Sequence, residues 1–280
     1  MRETKNLWEQ EILDEMRKRF PNADVTIRTV QKIEGDLRGI IIREKNNNVA
    51  PTMYLDDYKC NGTITEICDN LEKVYKKAKI TSNVDLDWFR NFDIVKTKLR
   101  IKLVNYEKNK EYLADKPFVK ILDLAAMFYI EVKNEQIENG SVTVLNNHME
   151  YWKTSIDVMY ANACMNEHAI IKDIVDFMYE MSDVEMPEVL RGSQLVVSNE
   201  ERTFGAGTFI AELDRLKRLY GKFYVLPSSI HEVIVIPENK CPFSKEQLDE
   251  QVREVNQTEV AENEILSDHA YYFNGESLEV

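Results

Sequence analysis

QLVVSNEERTFGAGTFIAELDRLKRLYGKFYVLPSSIHEVIVI, residues 194–236, is the most regular unit of the chain and the one whose reading decides the fold. Gln194 to Ser198 is a short apolar run rich in β-branched residues and reads as a strand. Gly205-Ala206-Gly207 supplies turn chemistry, a helical spacing of apolar residues continues through Tyr220, and Gly221 stops it. Lys222 to Leu226 and Glu232 to Ile236 then read as two strands joined by a polar loop. The order is strand, helix, hairpin. That differs from the strict βαβ alternation of a doubly wound sheet and points to an α+β protein with mixed or antiparallel sheets covered by helices.

The flanking sequence extends the pattern. Leu7, Trp8, Ile12, Leu13, Met16 and Phe20 recur at helical spacing before Pro21. Asp24 to Val30 and Leu37 to Arg43 flank Glu34-Gly35-Asp36 as a hairpin, and Ala50 to Leu55 reads as extended. Thr63 with Glu66 three residues later forms a capping box for a helix whose apolar stripe is Ile64, Ile67, Leu71, Val74 and Tyr75. Leu99 to Val104 alternates as a strand, and Tyr106 to Ala114 is a polar, helix-like run. Asp115-Lys116-Pro117 suggests a boundary, giving two expected lobes, 1–115 and 116–280. In the second, Phe118 to Val132 is long and apolar, Asn139-Gly140 is a hairpin signal before Ser141 to Leu145, and helices are expected at 155–165, 170–181 and 244–255, with a terminal strand at 270–273.

With 49 acidic and 36 basic side chains, the net charge is −13, against the basic footprint of a protein that holds nucleic acid through its phosphates. No apolar run approaches the ~20 residues of a membrane-spanning helix, and the charged start lacks a secretory h-region. Cys60, Cys68, Cys164 and Cys241 stand apart without a C-x-x-C pair, as in reduced cytoplasmic proteins. The four histidines show no metal-ligand spacing, so neither a metal nor a cofactor is expected.

The densest polar cluster is the hairpin loop Ser228, Ser229, His231 and Glu232. Two readings are open. In one, His231 is a general base, Glu232 or Asp268 orients it, and Ser228 or Ser229 is a nucleophile or ligand contact. In the other, the serines satisfy backbone groups of a turn and the imidazole bonds within the fold. Asn147, His148 and Asn256 are expected to line a pocket if the chemical reading holds. Gly205-Ala206-Gly207-Thr208 at a helix start offers backbone N–H groups to an anion, or is a tight strand-to-helix turn, lacking the lysine and spacing of a P-loop. The acidic loop Asp183, Glu185 and Glu188 reads as a cation site or a solvated connection, and acidic residues from Glu246 to Glu264 offer a surface for a basic protein partner.

Leu226 to Val233, together with Glu254-Val255-Asn256 and Leu266 to Tyr272, resembles an uncharacterised family of proteins from gut anaerobes. Asn48 to Leu55, Lys102 to Glu107, Leu122 to Ala125, Asn147-His148 with Trp152, and Gly205-Ala206 share the resemblance, which spans nearly the whole chain. It implies membership and no reaction, so no catalytic residue carries over. It also implies an accessory role, often encoded on mobile elements. His269 stands where an apolar residue is usual and is not taken as a site residue. The first functional reading is therefore a cytoplasmic accessory protein acting on a protein partner; the alternative is a small hydrolase using His231.

Overall fold

The computed structural model describes residues 2–33, 35–45, 47–58, 62–78, 85–134, 137–182 and 187–280. Cys60, Asp183 and Glu185 lie outside them. The chain divides into two compact units, Met1–Asp87 and Trp88–Val280, whereas the sequence suggested a boundary near residue 115.

The first unit contains helix α1 (Arg2–Arg19), strands β1 (Ala23–Lys32), β2 (Gly35–Glu44) and β3 (Thr52–Tyr54), and helix α2 (Ile64–Ala78). The strands form one antiparallel sheet in the order β1-β2-β3. Ile12 and Met16 of α1, one helical turn apart, meet Val25, Ile40, Ile42 and Met53 from the sheet. From α2 the buried stripe is Ile67, Cys68, Leu71 and Tyr75. Val74, expected in that stripe, is 41% exposed, and the smaller Cys68 takes the inward position. The capping box forms: Thr63 N–H donates to Glu66 Oε2 at 2.8 Å, and Glu66 N–H donates to Thr63 Oγ1 at 3.3 Å.

The second unit runs α3 (Phe92–Val95), β4 (Leu99–Asn105), α4 (Lys110–Leu113), β5 (Phe118–Ile121), β6 (Leu124–Asn134), β7 (Ile137–Thr143), α5 (Asn146–Trp152), α6 (Ile156–Asn166), β8 (Ile170–Asp173) and α7 (Ile174–Ser182). It continues with β9 (Leu195–Ser198), α8 (Thr208–Tyr220), β10 (Phe223–Pro227), β11 (Val233–Pro237), α9 (Lys245–Thr258), β12 (Tyr271–Phe273) and β13 (Leu278–Glu279). Two antiparallel sheets result. In the smaller, β6 pairs with β4 along one edge and with β5 and then β7 along the other. The larger has the order β13-β12-β10-β11-β9-β8. An α+β architecture with antiparallel sheets is thus the fold of the described residues.

Both sheets contribute to one core. Leu99, Ile101, Phe128 and Ile130 from the smaller sheet pack with Val197, Phe223, Val225 and Val235 from the larger, and with Met159 of α6 and Phe209 and Leu216 of α8. The opposite face of the larger sheet is also covered: Tyr224, Leu226 and Ile236 pack with Leu248 and Val252 of α9, and Val196 packs with Ile174 and Val175 of α7. One apolar run resolves into two elements, and two local expectations are corrected. The long apolar run 118–132 is two strands, because the chain reverses at Leu122-Asp123, where Leu122 adopts φ 55°. The helix expected over 170–181 begins as strand β8, because Ile170 to Asp173 pair with β9. Asn139-Gly140 lies inside β7, with Gly140 opposite Val132, so the reversal falls earlier than the hairpin signal implied.

Candidate functional site

The loop between β10 and β11 folds on its own side chains. Ser228 and Ser229 both donate to Glu232 Oε1, at 3.0 and 2.9 Å, and His231 N–H donates to Ser229 Oγ at 3.0 Å. His231 Nδ1 accepts the backbone N–H of Phe204 at 3.3 Å, so that nitrogen carries a lone pair and the proton resides on Nε2. Nε2 lies 3.2 Å from Glu264 Oε1, an acidic residue that no sequence signal pairs with it. The serines thus face Glu232 and the imidazole faces Glu264. Asn256, 7% exposed, donates to Ser267 O at 2.9 Å and to Asp268 Oδ1 at 3.2 Å, stitching α9 to the segment before β12. No hydrogen bond or ion pair links that group to His231 among the described residues. His148 stands elsewhere again: its Nδ1 accepts Leu145 N–H at 3.2 Å, its ring meets Phe89 edge-on at 5.0 Å, and burial lowers its pKa. Asn147 beside it is exposed.

Gly205-Ala206-Gly207 is buried, which closes it to an anion. A Cβ on Gly207 would lie 2.2 Å from Ile101 O, and one on Gly205 would lie 2.3 Å from Ser198 Oγ and 2.5 Å from His231 O. The glycines let β4, β9 and the 228–232 loop converge on one point.

That convergence builds a cleft of about 170 Å³ beside it. Its walls include Arg100 of β4, Tyr129 and Glu131 of β6, Glu167 and His168 between α6 and β8, and Phe204 at the end of the loop after β9. Glu167 is 9% exposed, and one carboxyl oxygen accepts Ile101 N–H at 2.7 Å. The other oxygen makes no hydrogen bond among the described residues. Burial pushes this carboxyl up to about 7, against the pull of the Ile101 amide and of Arg100. Arg100 is occupied by Glu131 at 3.1 Å and by the carbonyl of Asn166. Tyr129 is held protonated by burial. Glu200 and Glu201 add carboxylates at the rim, Glu201 lying 3.6 Å from Lys133. The cleft is therefore aromatic-walled and acidic, with the buried Glu167 carboxyl in its wall. Glu167 escapes a sequence reading because a lone Glu in Asn166-Glu167-His168 has no signature; its character comes from the burial imposed by α6 and β4.

A second cluster joins the two sheets. Asp123, in the β5–β6 turn, accepts from Tyr271 OH at 2.7 Å, from Ser267 Oγ at 2.8 Å and from His269 Nε2 at 3.2 Å. Burial opposes its charge, yet these bonds prevail and hold it at about 2. His269 faces Asp123 with one ring nitrogen and Ala270 O with the other, two acceptors that only the imidazolium satisfies; the Asp123 bond raises its pKa despite burial. His269, set aside in the sequence, is thus engaged in a buried contact.

Of the acidic residues near the C-terminal helix, Asp249 is paired with Lys245 at 2.9 Å and Glu264 with His231, while Glu246, Glu250, Glu254, Glu259 and Glu262 are exposed. Among the described residues there is no metal-competent group of His, Cys, Asp and Glu, and no helix long and apolar enough to cross a membrane.

Residues 5–275 match the model of a family of unknown function, DUF5688, and the chain belongs to that family. No curated protein and no solved structure matches it.

Proposed function

We propose that this family member is a binding protein whose acidic, aromatic-walled cleft receives a primary ammonium group, as on a lysine side chain of a basic protein partner. The observation that carries this reading is Glu167: a carboxyl on the wall of the cleft, buried to 9% exposure, with one oxygen tied to Ile101 N–H and the other without a hydrogen bond among the described residues. A buried, unpaired carboxylate is costly and is stabilised by a counter-ion. With one oxygen engaged, the bidentate pairing that favours a guanidinium is disfavoured, and a point-like ammonium fits better. The cleft's size supports a side chain over a cofactor, since whole-ligand pockets run to roughly 300–1,000 Å³. The charge of −13 and the exposed glutamates of α9 would draw a basic partner toward the protein over a Debye length. A cytoplasmic accessory role, including one encoded on a mobile element, accommodates this activity.

The hydrolase reading draws support from Glu264, which orients the His231 ring. Against it stand the Nδ1 lone pair, engaged by Phe204 N–H, and the two serines, both turned to Glu232.

The test is a chemical-shift titration at about pH 8, where an acid titrating near 7 is ionised, with Nα-acetyl-lysine methylamide and its arginine and norleucine counterparts. The lysine compound should shift the amides of Gly140, Thr203 and Phe204 most strongly, and Glu167→Gln should weaken that response about tenfold, the scale of a hydrogen bond to a charged group. Equal responses to norleucine, or an unchanged Glu167→Gln response, would remove the reading.

A further inference from the structure

We propose that His231 is a proton-operated latch on the wall of the cleft: with Nδ1 unprotonated it holds Phe204 in place, and protonation of Nδ1 releases it. The consequence for ammonium binding rests on the reading above; the latch itself rests on the loop.

Phe204 adopts φ 56° and Arg202, two residues before it, φ 51°. Left-handed backbone is disfavoured for such residues and persists where the surroundings over-determine it. The determinants are visible. At the front of the loop Arg202 is anchored on α7, 3.0 Å from Glu180 and 5.0 Å over the Phe177 ring. In the middle, the Asn199 side chain accepts Thr203 N–H at 3.1 Å and donates to Thr203 O at 2.8 Å. At the rear Phe204 N–H donates to His231 Nδ1 at 3.3 Å, and the two rings stack at 6.1 Å with an 11° interplanar angle. Lys102 Nζ stands 3.5 Å over the Phe204 ring, and Tyr129 meets it edge-on at 5.6 Å. His231 is itself fixed by Glu264 at Nε2, and its carbonyl accepts from Ser198 Oγ at 2.8 Å.

Of the charged and titratable groups around the imidazole, Glu264 from the segment after α9 contacts it and Lys102 of β4 lies beyond the Phe204 ring, while Glu232 of its own loop is turned to Ser228 and Ser229. A proton added at Nδ1 leaves the Glu264 bond intact, since Nε2 already donates there, and strengthens it. The same proton removes the acceptor from Phe204 N–H, the one contact in the set that cannot survive the change. The strained residue thereby loses the restraint on its N–H and is held by its carbonyl alone, which accepts Gly207 N–H at 3.2 Å, so the ring is released to move from the cleft wall.

The experiment follows the Phe204 amide and the His231 ring nitrogens by NMR without any ligand, from about pH 8 down to about pH 5, the range in which histidine ordinarily changes charge. At the upper end the ring should show Nε2–H with Nδ1 as acceptor. On acidification the Phe204 amide should exchange about fivefold faster after correction for the intrinsic rate, the worth of one backbone hydrogen bond, in step with Nδ1 protonation. His231→Asn, whose side-chain oxygen replaces Nδ1 as a non-titrating acceptor, should abolish the pH dependence. A Phe204 amide equally protected across the range, or a response unchanged in His231→Asn, overturns the latch; if that variant does not fold, the wild-type ring tautomer and its coupling to the Phe204 amide decide alone. Loss of lysine-analogue binding with the latch response intact sinks only the functional reading.

Discussion

Glu167 shows how one residue acquires a property that its type does not have. The carboxyl's pKa stands at about 7 in the folded chain against an ordinary 4.5, so between those values the folded chain holds a proton that the unfolded chain has released. Stability must then fall as pH rises through that window, by at most about 3 kcal/mol. Glutamine keeps an oxygen for the Ile101 amide and does not titrate. Glu167→Gln is therefore expected to equal wild type below about pH 4.5 and to exceed it above about pH 7, read from urea midpoints across pH. Parallel curves would show that the carboxyl is better solvated than its burial indicates. An ammonium in the cleft would act in the opposite sense, stabilising the ionised wild type and leaving the variant unmoved.

Among the elements, the buried turn 205–207 joins most parts of the second unit. Gly207→Ala places a methyl 2.2 Å from Ile101 O and 2.9 Å from its carbonyl carbon, backbone atoms that cannot step aside. A loss of about 3 kcal/mol or more is expected in chemical denaturation, at the upper end of over-packing costs; a change below about 0.5 kcal/mol, the scale of a neutral surface substitution, would mean that β4 yields. The glycines were visible in the sequence as a turn, and their reason was not, because the atoms they make room for belong to other elements: Ile101 of β4 for Gly207, and Ser198 of β9 and the His231 carbonyl for Gly205. The same division runs through the rest of the fold. Periodicity and caps located α1, α2, α8, α9 and the β10–β11 hairpin, because those signals are local. The β8–α7 junction and the reversal at Leu122 were missed, since strand pairing and a left-handed backbone decide them and neither leaves a mark in apolar spacing. At the site, the 228–232 loop was legible as a polar knot, while Glu264 and Glu167 were not, for their partners arrive through tertiary contact.

At the scale of the molecule, each unit has its own buried core, and in the second the Asp123 cluster ties one sheet to the other. Two titrations limit that tie. Asp123, held down at about 2, contributes fully above its ordinary 3.8, and the contribution is lost as pH falls through the lower value. His269, raised above its ordinary 6.5, contributes fully below 6.5, and the contribution is lost as pH rises through the folded value. Both are present together between those two ordinary values. Asp123→Asn is expected to cost about 1–3 kcal/mol near pH 5.5, as for hydrogen bonds to a charged group, and less toward pH 9, by thermal or urea unfolding; a pH-independent cost would mean that packing of Tyr271 dominates. The smaller sheet, finally, draws its described strands from residues 99–143, with β6 pairing to β5 and β7 beside it in sequence and back to β4, whereas the larger recruits strands from 170 to 279. On a ribosome, the first sheet can pair while the second is still being made, and Asp123 waits, its carboxylate hydrated, until residues 267–271 emerge to claim it. The joint between the sheets is thus a late event in the chain's own birth order.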